Sequence, residues 1–361
     1  MRTIYDGYRI LDTKTPAFFA GANTGNGFIG EYGHIADESE KKRIWIIKGG
    51  SGTGKSTLMR KMQTEISEAG CCCREYLCSS DPDSLDAVEM AGQYVILDGT
   101  APHVWEMRYP GAGSEIIYMG KYWKSDILEL KKEEIIHLTR QKTEAYHAGY
   151  TALAALSLLE GEHYETAEHM MNTDKLTGYL QRLLKSIPKN ERTGGMNYCR
   201  TWGITMKGLC RTNGLAKQAE IHWNVEDICQ TSPCFFSVLE KQCETMGIPA
   251  VFSRHPINDR ITEAYIPTLS LHIALNTDAP DKTICMSRFL QKELLAEKKG
   301  NMRLSVKCMC AMLEDACEHF RKAGEIHEAM ESVYKTAMDF PKMNRATTKL
   351  RQQIRNHIVG E

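Results

Sequence analysis

Apolar and polar positions divide the chain into short apolar runs and long amphipathic stretches. Ile44-Trp45-Ile46-Ile47 and Tyr94 to Leu97 are unbroken apolar runs of strand length, and each predicts a buried strand. Another strand is expected over Arg74 to Cys78, and the run Cys71-Cys72-Cys73 is placed on a buried strand as well. The stretch "TLMRKMQTEISEAG" that follows the first run has a helical pattern. Two far longer helical regions are predicted, at 125–187 and 291–357. In the first, Leu128, Ile135, Leu138, Ala145, Gly149, Ala152, Leu156 and Leu159 recur at helical spacing as a packing face. Strands alternating with helices predict an α/β fold built on parallel sheets.

The pattern also repeats. A spacing of 177 pairs Ile44 with Ile221 and Gly70 with Gly247, and nearby spacings pair Pro82 with Pro256, Pro102 with Pro280 and Met119 with Met286. Gly21 likewise answers Gly203. The segment 186–197, "SIPKNERTGGMN", interrupts the helical pattern with Pro188, Gly194 and Gly195. Two similar α/β domains, 1–190 and 191–361, each with a helical arm, are the expected organisation, and an internal pseudo-dimer of the two halves is one arrangement it allows.

Composition narrows the function classes. With 361 residues, 42% of them hydrophobic, the chain is long enough for two cores. Its net charge of −1 and lack of one-sign blocks give no sign of a nucleic-acid partner or an anionic membrane surface. No stretch has the length and apolarity of a membrane span or a leader, so a cytoplasmic location is expected. The 13 cysteines, odd in number and irregular in spacing, fit free thiols in a reducing compartment. Cys308 and Cys310 stand two apart on a helix and lack the second pair a zinc site needs.

The chemistry is concentrated in "GGSGTGKS". Gly49 to Ser56 match the phosphate-binding pattern G-x-x-x-x-G-K-[ST], between a predicted strand and a predicted helix. Gly49, Gly50, Ser51, Gly52, Thr53 and Gly54 would wrap backbone N–H groups around anionic oxygens at the positive end of the helix. Lys55 would reach the β and γ phosphates, Ser56 would ligate Mg²⁺, and Thr57 would begin the helix near the α phosphate. Asp98, closing the apolar run of "QYVILDGTAPH", is the expected second metal-holding group. Gly99 follows it where many ATPases place a water-polarising Glu. The acidic cluster Asp81, Asp83 and Asp86 and the loop residue His103 are therefore the candidates for that task, Asp81 foremost. An alternative reading makes "SSDPDSLD" an Asp-Pro turn with a helix cap at Asp83 or Ser84.

In the second half the same spacing puts Glu226, Thr231, Ser232 and Pro233 opposite Gly49, Gly54, Lys55 and Ser56, and Asn276 opposite Asp98. The glycines, the lysine and the metal hydroxyl are gone, so no ordinary nucleotide site is expected there. Arg254, opposite Ser80, is a candidate arginine finger reaching across to the first loop.

Taken together, "FFAGANTGNGF", "KGGSGTGKST", "CSSDPDSLD", "VILDGTAPH" and "RYPGAGSEIIYMG" resemble a family of poorly characterised bacterial ATP-binding proteins with two tandem P-loop NTPase domains. The resemblance implies ATP and Mg²⁺ as ligands and an ATPase activity, with the second loop degenerate in this chain. A small-molecule kinase with Asp81 as base, or a nucleotide-dependent switch contacting a protein partner through its arms, are the competing readings. The absence of an Asn-Lys-x-Asp stretch favours ATP over GTP.

Overall fold

The computed structural model describes residues 3–101, 104–192 and 194–360, and its elements form a mixed α/β fold. The first half contains β1 (Arg9–Leu11), β2 (Ala17–Phe19), β3 (Gly21–Thr24), β4 (Gly27–Gly30), α1 (Tyr32–Ile35), β5 (Arg43–Lys48), α2 (Lys55–Glu68), β6 (Cys73–Leu77), β7 (Leu85–Met90), β8 (Tyr94–Asp98) and β9 (Ser114–Tyr118). Its arm is α3 (Ser125–Leu130), α4 (Lys132–His169) and α5 (Thr173–Leu184). The second half contains β10 (Met196–Cys199), β11 (Trp202–Thr205), β12 (Gly208–Thr212), β13 (Ile221–Glu226), α6 (Ser232–Met246), β14 (Ala250–Arg254), β15 (Ile261–Ile266), β16 (Leu271–Leu275) and β17 (Lys282–Cys285), then the arm α7 (Lys292–Thr336) and α8 (Phe340–Val359).

Two six-stranded sheets correspond position by position, in the orders β2-β6-β7-β8-β5-β9 and β10-β14-β15-β16-β13-β17. Each is mainly parallel but carries one reversed strand: β7 runs against β6 and β8, and β15 against β14 and β16. The all-parallel expectation is corrected here for a simple reason. The connections 78–84 and 91–93 are too short for the crossover that a parallel neighbour needs, so the chain must turn back. The helix cap expected at Asp83 or Ser84 is accordingly a strand entry. Of the three consecutive cysteines only Cys73 lies in a strand, while Cys72 is exposed. All 13 cysteines are free thiols, and no group of metal-ligating side chains large enough to cage an ion occurs among the described residues.

The arms are the long helices the periodicity predicts, and α4 and α7 pack along each other. Ala145, Gly149, Ala152 and Leu156 form the buried seam of α4, whereas Leu159 is exposed and falls outside it. Gly149 is required by close approach, because a Cβ there would lie 2.7 Å from the Phe320 ring of α7. No helix among the described residues is long and apolar enough to cross a membrane.

Beyond that seam the arms exchange partners. Leu176, Leu180 and Leu184 of α5 are buried in one core with Phe235, Phe236 and Leu239 of α6. Conversely, Met343 and Ile354 of α8 complete the core over Leu58, Met59, Met62 and Ile66 of α2, and Arg351 pairs with Glu65. Matching crossings secure both ends. Gln291 N donates to Met170 O (2.9 Å) and Lys124 N to Ala337 O (2.8 Å). Side chains then cap the returning helices, Asn172 accepting from Lys175 N and Asp339 from Lys342 N, each at 3.0 Å.

Candidate functional site

Ile44, Ile46 and Ile47 of β5 are fully buried, which fixes the strand in the middle of its sheet and delivers the glycine loop at its C-terminal end. Gly52 and Gly54 take positive φ of 71° and 81°, conformations that disfavour any side chain. At the start of α2 no side chain caps the helix and no acidic residue lies in its first turn. Its amide donors are thus left for an anion.

The register Ile47↔Asp98 sets the expected carboxylate directly beside the loop. Lys55 Nζ lies 3.4 Å from Asp98 Oδ2 and donates to the carbonyls of Gly49 (2.9 Å) and Gly50 (2.8 Å). Asp98 is buried and also accepts from Thr100 N at 2.8 Å, while the Thr100 hydroxyl donates to Gly49 O at 2.7 Å. Thr53 donates to Gly50 O at 2.9 Å. The Ser56 hydroxyl accepts from Leu85 N at 3.0 Å, tying the loop to the first residue of β7. As a donor set, the Ser56 hydroxyl and the Asp98 carboxylate suit a hard cation that keeps most of its shell from water and phosphate oxygens.

A cavity of about 670 Å³ opens on this loop and is lined by Ser51 to Thr57 and by Asp81, Asp86 and Asp98. Asp81 is held in a turn, Oδ1 accepting from Asp83 N (3.1 Å) and Oδ2 from Ser84 Oγ (2.7 Å), so the turn reading and the cavity position hold together. Asp83 also borders the cavity and pairs with Lys207, and Asp86 is buried, accepting from the Tyr32 hydroxyl at 3.0 Å. His103 lies outside the described residues. Arg254 does not line the cavity: its guanidinium stacks 3.9 Å over the Tyr198 ring, which corrects the finger expectation. The tyrosine face beside it on β10 is a nearer and favourable partner for the cation.

The far wall comes from the arms, which sequence reasoning treated only as packing surfaces. Lys142, Tyr146 and Tyr150 of α4 and His327, Glu331 and Lys335 of α7 face the loop across the cavity. Glu331 Oε1 accepts from Gly52 N at 3.3 Å and Oε2 from Lys335 Nζ at 2.7 Å. Burial pushes the Glu331 carboxyl up, but Lys335, His327 and the Gly52 amide outweigh it and hold it below its usual range. Burial, and then the Lys142 charge, lowers the His327 imidazole; Glu331 and Asp81 oppose the shift. The signal was present in the periodicity. Lys142 interrupts the stripe 138, 145, 149, and His327 and Glu331 continue the stripe of Ala316, Phe320 and Gly324.

The corresponding loop of the second half is closed on itself. Asp227 accepts from Ser232 N at 3.0 Å, so its own carboxylate occupies the turn into α6. Burial raises that carboxyl to about 6. The N-terminal segment packs against the same loop. Ile4 N donates to Gln230 Oε1 (3.4 Å), Asn276 donates to Tyr5 O (3.1 Å), and Ile4 and Tyr5 are fully buried.

No family model matches the chain, and no curated protein or solved structure is significantly similar to it.

Proposed function

We propose that the chain is a Mg²⁺-dependent ATP-binding protein made of two tandem P-loop NTPase-like units, which hydrolyses ATP at the first loop and binds no nucleotide at the second. One observation carries the reading: an uncapped glycine loop between β5 and α2, with Lys55 against Asp98, opens on a cavity of about 670 Å³. In this account the loop amides cradle the β and γ phosphates, and Lys55 leaves the Gly49 and Gly50 carbonyls to follow the charge that develops on them. Ser56 and Asp98 would hold the magnesium ion, which neutralises phosphate charge when bound. Asp81 keeps unused acceptor lone pairs on both oxygens and takes the proton of the attacking water.

The test is phosphate release by the purified chain with ATP and Mg²⁺, beside Lys55→Ala, with ATP binding measured in parallel. Turnover is expected to fall about 10²–10³-fold in the variant. Failure of the intact protein to bind ATP overturns the reading. A second reading, a nucleotide-dependent switch, is favoured by the Glu331 carboxylate on the Gly52 amide, since a phosphate group entering the loop competes with it and loosens α7. Slow turnover with nucleotide-dependent proteolysis of the arms would select it over hydrolysis as the main task.

A further inference from the structure

The cavity is bounded on one side by the loop and on the other by α4 and α7, and one of the charged groups between them stands without a partner among the described residues. Its carboxylates have partners other than Lys142: Asp98 has Lys55 and Thr100, Asp81 its turn, Asp83 Lys207, Asp86 the Tyr32 hydroxyl, and Glu331 Lys335 and the Gly52 amide. Arg60 is likewise engaged, donating to Asp83 O. Lys142 lines the same space, half-buried on the inner stripe of α4, yet makes no hydrogen bond or ion pair among the described residues. A desolvated ammonium with no counter-ion is unfavourable unless an anion completes it. Consistent with that, burial alone lowers its basicity. His327 and Lys55 line the same cavity as Lys142, His327 from α7 and Lys55 from the start of α2.

We infer that the arm wall is a second oxyanion subsite, in which Lys142, with His327 beside it, holds a phosphate-type group facing the glycine loop. The inference rests on the nucleotide reading of that loop. The group is either the phosphoryl released from ATP or the anionic group of a second substrate. Both present the same tetrahedral oxyanion to the lysine.

The experiment titrates inorganic phosphate into the full-length protein by calorimetry, with and without saturating Mg-ADP, for wild type, Lys142→Met and Lys142→Arg, with circular dichroism as a check on folding. Lys142→Met is expected to weaken phosphate binding about tenfold or more, and Lys142→Arg to restore most of it. Phosphate that binds more tightly beside ADP identifies the released phosphoryl; equal affinity with and without ADP identifies a second substrate's group. Phosphate affinity indifferent to Lys142, or no phosphate binding by the wild type, overturns the subsite. If ADP itself fails to bind, the nucleotide reading falls, while the Lys142 comparison in phosphate alone still decides the subsite.

Discussion

The two loops start from the same frame, a central strand turning into a helix, and end in opposite states. At Gly49 to Ser56 the ring of amides opens on a cavity, whereas at 226–232 it is filled by Asp227 from within and by Ile4 and Tyr5 from outside. Losing glycines does not simply leave a poor anion site. Backbone donors that no ligand will meet must still be satisfied, and the second half meets that demand at Ser232 N with its own Asp227 carboxylate. The same frame thus serves packing in the second half and borders an open cavity in the first.

Four substitutions break or sharpen this contrast. Tyr5→Ala should have the largest effect on stability, about 3–5 kcal/mol in denaturant unfolding, because it removes a fully buried ring packed on Trp202 and His255. A near-neutral result would mean that the second loop closes without its plug. Lys55→Ala should leave folding intact while removing about 3–4 kcal/mol of transition-state stabilisation. Residual turnover near wild type would move the chemistry elsewhere.

Asp227→Asn tests the internal carboxylate through its pH dependence. The Asp227 carboxyl is raised to about 6 in the folded protein from 3.8, so its charge is tolerated less well folded than unfolded. Wild-type stability from this group is therefore greatest below pH 3.8 and declines as pH rises through 6. Relative to wild type, the asparagine protein should gain up to about 3 kcal/mol between pH 4 and 7. A pH-independent difference would show that the group is not buried as described. The smallest effect is expected at Glu331→Gln, which weakens the carboxylate competing for the Gly52 amide and should tighten ATP binding about fivefold. Weaker binding would assign Glu331 a supporting role in the nucleotide site.

Much of the first loop was legible in sequence because its information is local: a buried strand, glycines at set positions, Lys55 and Ser56. The arms were legible for the same reason, as 3.6-residue periodicity over many turns. Their exchange was not, since nothing in Leu176 or Met343 says which sheet each will cover. The reversed strand at Leu85 to Met90 was concealed by an acidic turn that also resembles a helix cap. Lys142, His327 and Glu331 were masked by the stripe they share with packing residues, although a charge in such a stripe is itself informative. The plug required a contact between Ile4 and Gln230, far apart along the chain and without any local pattern.

The exchanged arms also govern how the protein can be made. The hydrophobic face of α2 is completed by Met343 and Ile354, which are synthesised long after it. Until α8 is made, the helix after the glycine loop therefore waits incompletely covered. A premature stop before α8 injures the first loop's own support, and the nascent chain, exposing Leu58 and Met62, is the form most in need of chaperone protection.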